Sequence, residues 1–223
     1  MVYEQLNLIL DGEAEGFQVR EITYERCIPF IMGIHYARRM PCIQYAFGAF
    51  INGELVGVVT YGQPASPSLT EGVAGKENKG RVLELNRLAI QPETTEPNVA
   101  SRLVGRSLRM LPKGMIIVSY ADAEGWGHVG YVYQATNWMY TGMTKSRTDK
   151  YSESGHSRHY KGGETKRQYR TAKHRYIYIT GKGKERESLR KQIRYPILGE
   201  YPKGDSRRYD TKDPIPQRDT KTS

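Results

Sequence analysis

The chain has 223 residues and a formal charge of +10, from 34 Lys and Arg against 24 Asp and Glu. That length holds one large domain or a domain with an appendage, and no run approaches the ~18 apolar residues of a membrane span. Two cysteines, Cys27 and Cys42, with neither paired spacing nor a Cys/His cluster, argue against a disulfide framework or structural zinc and are expected to be buried, reduced thiols.

The N-terminus lacks the basic start and cleavage site of a signal peptide, so a soluble, cytoplasmic protein is expected. The charge is uneven. Residues 1–142 hold 12 Lys/Arg against 14 Asp/Glu, and residues 143–223 hold 22 against 10. A basic C-terminal part suits a polyanionic partner, because neutralised phosphates release counterions; a solvated, solubilising tail is the alternative.

Two apolar runs flank Asn52-Gly53, a hairpin signal. Residues 65–80, rich in Ser, Gly, Pro and charge, read as a loop. "RVLELNRLAI" (81–90) alternates as a strand, with Glu84 and Asn86 on one face. Residues 99–111 follow as a helix with Leu103, Val104, Leu108 and Leu111 at helical spacing and Asn98 as N-cap. "GMIIVSYAD" (114–122) reads as a central strand whose polar end reaches a site. "GHVGYVYQATN" reads as a short helix or turn, "WMYTGMT" as a strand, and "HRYIYIT" (174–180) as another, with Tyr176 and Tyr178 opposed to Ile177 and Ile179. Residues 184–194 can make one basic helix ahead of an extended or disordered tail. Strands alternating with helices in this order make an α/β fold around a mixed sheet, with residues 1–180 as the catalytic domain and 181–223 as a basic extension.

Four clusters could carry chemistry. In "IHYARRMPC", His35 can be a base or a metal ligand and Arg38 and Arg39 can grip phosphate, although a lone His is more often hydrogen-bonded structure. In "YGQPAS", Tyr61 can stack on a nucleobase and Ser66 can donate to phosphate; a turn made by Gly62 and Pro64 explains the same residues. In "ELNRL", Asn86 and Arg87 either tie neighbouring backbone or face a ligand. In "SYADAEGWGHVGYVYQATNWMYTG", Asp122 ends a strand, His128 follows a Gly-rich turn, and Tyr131 and Tyr133 come next. Asp with His suits general-base work, and Asp, His and Tyr suit a metal such as iron. The plain alternative is that Asp122 caps a turn and the tyrosines pack.

Taken in order from about residue 28 to residue 142, "IHYARRMPC", "VVTYGQPAS", "ELNRLAI", "NVASRLVGRSL" and the 119–142 segment resemble the Mom DNA-modification proteins of Mu-like bacteriophages. The resemblance implies a GNAT acetyltransferase-like fold and an enzyme that places a carbamoylmethyl (methylcarbamoyl) group on the N6 amino group of adenine in double-stranded DNA, in a phage-infected bacterial cell, against host restriction. It implies a catalytic pocket or iron centre at His35, Tyr36, Asp122 and Tyr133, and a substrate pocket lined by Tyr61, Ser66 and Asn86. Arg38, Arg39, Arg87 and His128 are placed on the DNA side. The glycine loop that holds coenzyme A in such acetyltransferases is missing from "QPETTEPNVASRL", so Asn98, Ser101 and Arg102 at the helix start are the candidates for holding a coenzyme A derivative. A coenzyme-A-dependent N-acetyltransferase and a noncatalytic DNA-binding protein are the alternatives, and a dimer is one option for the assembly. The imidazole at 35 is expected to meet the carboxylate at 122, and truncation after about Gly181 is expected to weaken DNA binding and flatten its salt dependence.

Overall fold

The computed structural model describes residues 16–124, 127–151 and 166–204. Nine strands form among them: β1 (Phe17–Glu21), β2 (Tyr45–Ile51), β3 (Glu54–Gly62), β4 (Val82–Ile90), β5 (Ile116–Asp122), β6 (Met139–Met143), β7 (Arg147–Tyr151), β8 (Lys166–Arg170) and β9 (Lys173–Ile179). The helices are α1 (Tyr24–Ile28), α2 (Pro67–Ala74), α3 (Val99–Met110), α4 (Tyr131–Ala135) and α5 (Gly183–Lys191), with a π turn at Pro29–Ile34 and a 3₁₀ turn at Lys76–Arg81. Seven strands make one mixed sheet in the order β1-β2-β3-β4-β5-β9-β6, while β7 and β8 pair separately as a two-stranded ribbon. The α/β architecture expected from the alternation of patterns is the one found. Two compact units divide the chain, one running through Gly62 and including Leu85–Leu111, the other comprising Gln63–Glu84 and Pro112 onward.

In the first unit, β1, β2 and β3 form an antiparallel meander. The turn between β2 and β3 is Asn52-Gly53 at φ 50° and 84°, two left-handed positions in succession, the geometry that the Asn-Gly pair favours. Helix α3 turns Val99, Leu103, Val104 and Leu108 inward, the period-3.6 stripe read from sequence. A second cluster joins Cys27, Phe30 and Ile31 from α1 and the π turn to Ala46, Phe50 and Val58 of the sheet. Asn98 stands at the N-cap position of α3 but in the left-handed conformation, with no capping bond from its side chain.

In the second unit, β5 pairs with β4 in parallel over Val82–Glu84 and with β9 in antiparallel fashion along its whole length. One face of this sheet buries Val82, Ile116, Val118, Ile177 and Ile179 against Val73 and Ala74 of α2 and Leu189 of α5. The residues expected to be loop at 65–80 contain α2: Ser66 Oγ accepts the Leu69 amide at 3.3 Å and Pro67 occupies the first helical position, a start signal carried by two residues. Leu189 makes α5 part of the core, so a truncation after Gly181 would cut into packing as well as charge. The tail beyond residue 204 lies outside the described residues.

Candidate active site

The polar residues of the first unit are engaged in holding backbone. Asn86 accepts from Thr60 Oγ1 at 2.6 Å and donates to the Cys42 carbonyl at 2.9 Å, while Arg87 donates from Nε and Nη2 to the Arg39 carbonyl at 3.1 and 2.9 Å. Of the two readings open for "ELNRL", tying neighbouring backbone is the one the bonds describe. Gly62 belongs to the same joint: a Cβ there would stand 1.9 Å from the Cys42 carbonyl oxygen. Tyr61 is fully buried, its ring edge-on to Phe47 and its hydroxyl 2.6 Å from Ser107 Oγ, so it packs as core and does not present a stacking face. Ser66 caps α2, as above. Of the two cysteines Cys27 is buried, its thiol pushed up to about 11 by burial, whereas Cys42 is exposed, contrary to the expectation for it.

His35 closes the π turn, is only 5 % exposed, and stacks on Tyr36 with ring centroids 4.4 Å apart. Its Nδ1 accepts the Ala37 amide at 3.0 Å. An N–H pointing at Nδ1 leaves the ring proton on Nε2. Arg38 takes the left-handed conformation at φ 39°, its amide on the His35 carbonyl at 3.0 Å.

In the second unit, β5 carries Asp122 to its end, 6 % exposed. The Asp122 carbonyl accepts the His128 amide at 2.8 Å, folding the turn back on the strand. Burial lowers the His128 pKa below the usual imidazole range, and the Asp122 charge opposes that shift. Carboxylate and imidazole therefore sit within electrostatic reach of each other. Residues 129 and 130 are held by their neighbours: Gly130 at φ 77° would bring a Cβ within 2.5 Å of the Tyr176 ring, Tyr176 donates its hydroxyl to the Val129 carbonyl, and Gln134 Nε2 donates to the carbonyls of Val129 and Pro202 at 2.9 and 3.1 Å. Burial first of all pushes the Tyr176 phenol up to about 12, which keeps it protonated as a donor.

Tyr133 goes elsewhere. Its hydroxyl accepts from Ser119 Oγ at 2.8 Å and its ring packs on Trp138 and Tyr176, both with centroids at 5.1 Å. Alternation along β5 puts Ser119 on the face opposite to Val118, Tyr120 and Asp122, so the tyrosine expected beside Asp122 is held across the strand from it. His128, grouped with Asp122 in the sequence as residues suited to general-base work and also placed on the DNA side, lies within electrostatic reach of Asp122.

Among the described residues no three His, Cys, Asp or Glu gather as a metal cluster. At the start of α3, Arg102 pairs with Glu96 at 2.7 Å and lies 3.8 Å over the Phe17 ring, and Ser101 Oγ donates to the Asn98 carbonyl at 3.1 Å.

Sequence reading passed over Arg175. It is 8 % exposed, opposite Tyr120 in the β5–β9 register, and donates from Nε and Nη2 to Thr141 at 2.9 and 2.8 Å. Its guanidinium carbon lies 3.3 Å from the centroid of the Tyr195 ring. These bonds tie the irregular β6 edge and the segment after α5 to the sheet, which is a structural use of a buried cation.

The model of the Mom protein family matches residues 16–198. The chain belongs to the Mom protein family. No curated protein matches it. Among solved structures it is similar to the ribosomal-protein-S18-alanine N-acetyltransferase from Escherichia coli, at 10 % identity and a TM-score of 0.47, over 75 % of this chain and 97 % of that one. It is also similar to a putative acetyltransferase from Salmonella typhimurium with its cofactor acetyl-CoA, at 10 % identity and a TM-score of 0.45, over 76 % and 96 %. A polyamine N-acetyltransferase from Drosophila melanogaster is similar at 13 % identity and 0.42, over 73 % and 99 %. The family membership covers both the His35 segment and the Asp122–His128 turn.

Proposed function

We propose that the chain is a DNA-modifying transferase of Mom type, which places a carbamoylmethyl (methylcarbamoyl) group on the N6 amino group of adenine. The observation that carries the reading is the buried Asp122 within electrostatic reach of His128, in a chain of this family. The amine is a poor nucleophile because its lone pair is delocalised into the ring, and in a duplex it is also paired and stacked. Extruding the base costs on the order of a few kcal/mol. Reaction then needs a donor whose bond to the methylene carbon breaks, its leaving group departing with the electron pair, as the new N–C bond forms, and a group that takes the N6 proton. An imidazole kept uncharged by burial is ready to accept it, and a neighbouring carboxylate orients the ring and stabilises the imidazolium that results. Arg38 and Arg39 enter this reading as phosphate-binding groups.

The test is the nucleoside content of DNA from cells producing the wild-type protein. An adenosine species of increased mass is expected; unmodified nucleosides from a well-expressed soluble protein would favour the noncatalytic DNA-binding reading.

A further inference from the structure

We infer that Gln134 and the 194–204 segment are positioning elements for the proposed base: they fix the chain that follows His128 and so keep its imidazole within reach of Asp122. The inference rests on the adenine-modification reading above. Residues 125–131 read GWGHVGY, three glycines in seven. Glycine admits many backbone conformations, so a return of this composition takes its course from whatever holds it at the sides. His128 is held on one side through its own amide, which donates to the Asp122 carbonyl at 2.8 Å. On the other side the holders come from elsewhere in the chain.

Gln134 lies in α4, and its amide group has two hydrogens to give. Nε2 donates to the carbonyl of Val129 at 2.9 Å and to that of Pro202, 68 residues further on, at 3.1 Å. One side chain thus joins the residue after His128 to a distant part of the chain. Proline has no N–H, so a carbonyl is what its backbone offers to a neighbour. Tyr176 donates its hydroxyl to the same Val129 carbonyl, which occupies both acceptor positions of that oxygen.

The 194–204 segment forms neither helix nor strand and is fixed one anchor at a time. The Arg194 amide donates to the Val73 carbonyl and the Leu198 amide to the Tyr140 carbonyl, both at 2.9 Å. The Tyr195 ring lies against Arg175, and the Tyr201 hydroxyl donates to the Trp138 carbonyl at 2.7 Å. Past Pro202 the segment reaches the turn itself. The Tyr131 hydroxyl donates to the Gly204 carbonyl, and a Cβ at Gly204 would stand 2.7 Å from Val129 Cγ1, an approach that the missing side chain allows. The anchors from Leu198 to Gly204 therefore converge on residues 129–140, the stretch that leads from His128 back into the sheet at β6. All of these residues belong to the second unit.

Full-length Gln134→Glu keeps the shape of the side chain and removes both donors. The first readout is hydrogen exchange of the His128 amide, set against the amides paired between β5 and β9, which report global opening. His128 exchange is expected to rise about tenfold or more, the factor that a buried carbonyl left without its donor carries, while the β5–β9 amides keep their rates. The second readout is the yield of modified adenosine in cells at equal soluble protein, which is expected to fall by about tenfold or more, since misplacing a reacting group slows reaction steeply. A full-length Tyr131→Phe, Tyr201→Phe variant cuts two anchors of the segment and leaves Gln134 intact; it is expected to move both readouts the same way by a smaller factor, and it carries the test alone if Gln134→Glu does not fold. Unchanged His128 exchange overturns the inference and leaves the adenine reading in place. Faster His128 exchange with an undiminished yield also overturns it, because the hold would then serve stability only. Exchange that rises equally at His128 and across β5–β9 overturns it as well, as a sign of global loosening. A wild type that produces no modified adenosine strikes the adenine reading itself, and with it the role given to His128, whatever the exchange rates show.

Discussion

Two regions, the 35–42 segment with its β4 partners in the first unit and the 122–134 turn in the second, look equally functional as text and are built for different ends. In the first, Asn86, Arg87 and Gly62 hold the carbonyls of Arg39 and Cys42, and the one histidine has its Nδ1 engaged by a backbone amide. In the second, Tyr176 and Gln134 hold the backbone of Val129, and the Asp122 charge acts on the His128 imidazole. Polar residues in a central strand are informative only once each of their hydrogen bonds has been assigned.

This contrast breaks most visibly under mutation. Asp122→Asn or His128→Gln is expected to lower adduct formation by about 10²-fold or more, the usual reach of a general base, with a thermal midpoint close to wild type; a tenfold drop or less would place the proton transfer elsewhere. Gly62→Ala pushes a Cβ into the Cys42 carbonyl and is expected to cost roughly 1–3 kcal/mol, the range for overpacking, measured by urea unfolding. Asn86→Ala leaves the Thr60 hydroxyl and the Cys42 carbonyl without their partner and is expected to cost about 1–3 kcal/mol, with loss of adduct only in proportion to loss of folded protein. The smallest effect sharpens the second region. An NMR titration of the His128 ring should give a midpoint below ~6.5, because burial outweighs the Asp122 charge; in Asp122→Asn, where the opposing charge is gone, the midpoint should fall further. A midpoint that rises in the variant would reverse the assignment.

Much of this was legible in the sequence, for stated reasons. Asn52-Gly53 fixed its hairpin because two left-handed positions in succession suit that pair, and the stripe of Leu103, Val104 and Leu108 marked α3 because only a helix brings those residues to one side. Helix α2 was missed because its start lies in one Ser-Pro pair amid loop-like composition. The β7–β8 ribbon was missed because its strands carry charge where an alternating strand would carry apolar residues. At the site, Asp122 was legible as the polar end of an apolar strand. Tyr133 was misplaced because spacing along the chain does not say on which side of β5 a returning helix lays its hydroxyl, and Ser119 decides that. Tyr61 was misread for a related reason: its partner, Ser107, is 46 residues away.

The most direct measurement is mass spectrometry of nucleosides from DNA of cells producing, at equal soluble levels, the wild type, Asp122→Asn and Tyr61→Phe. The account predicts a heavier adenosine with wild type and with Tyr61→Phe, whose core hydroxyl costs about 1 kcal/mol to lose, and none with Asp122→Asn. A full yield of modified adenosine from Asp122→Asn would contradict it.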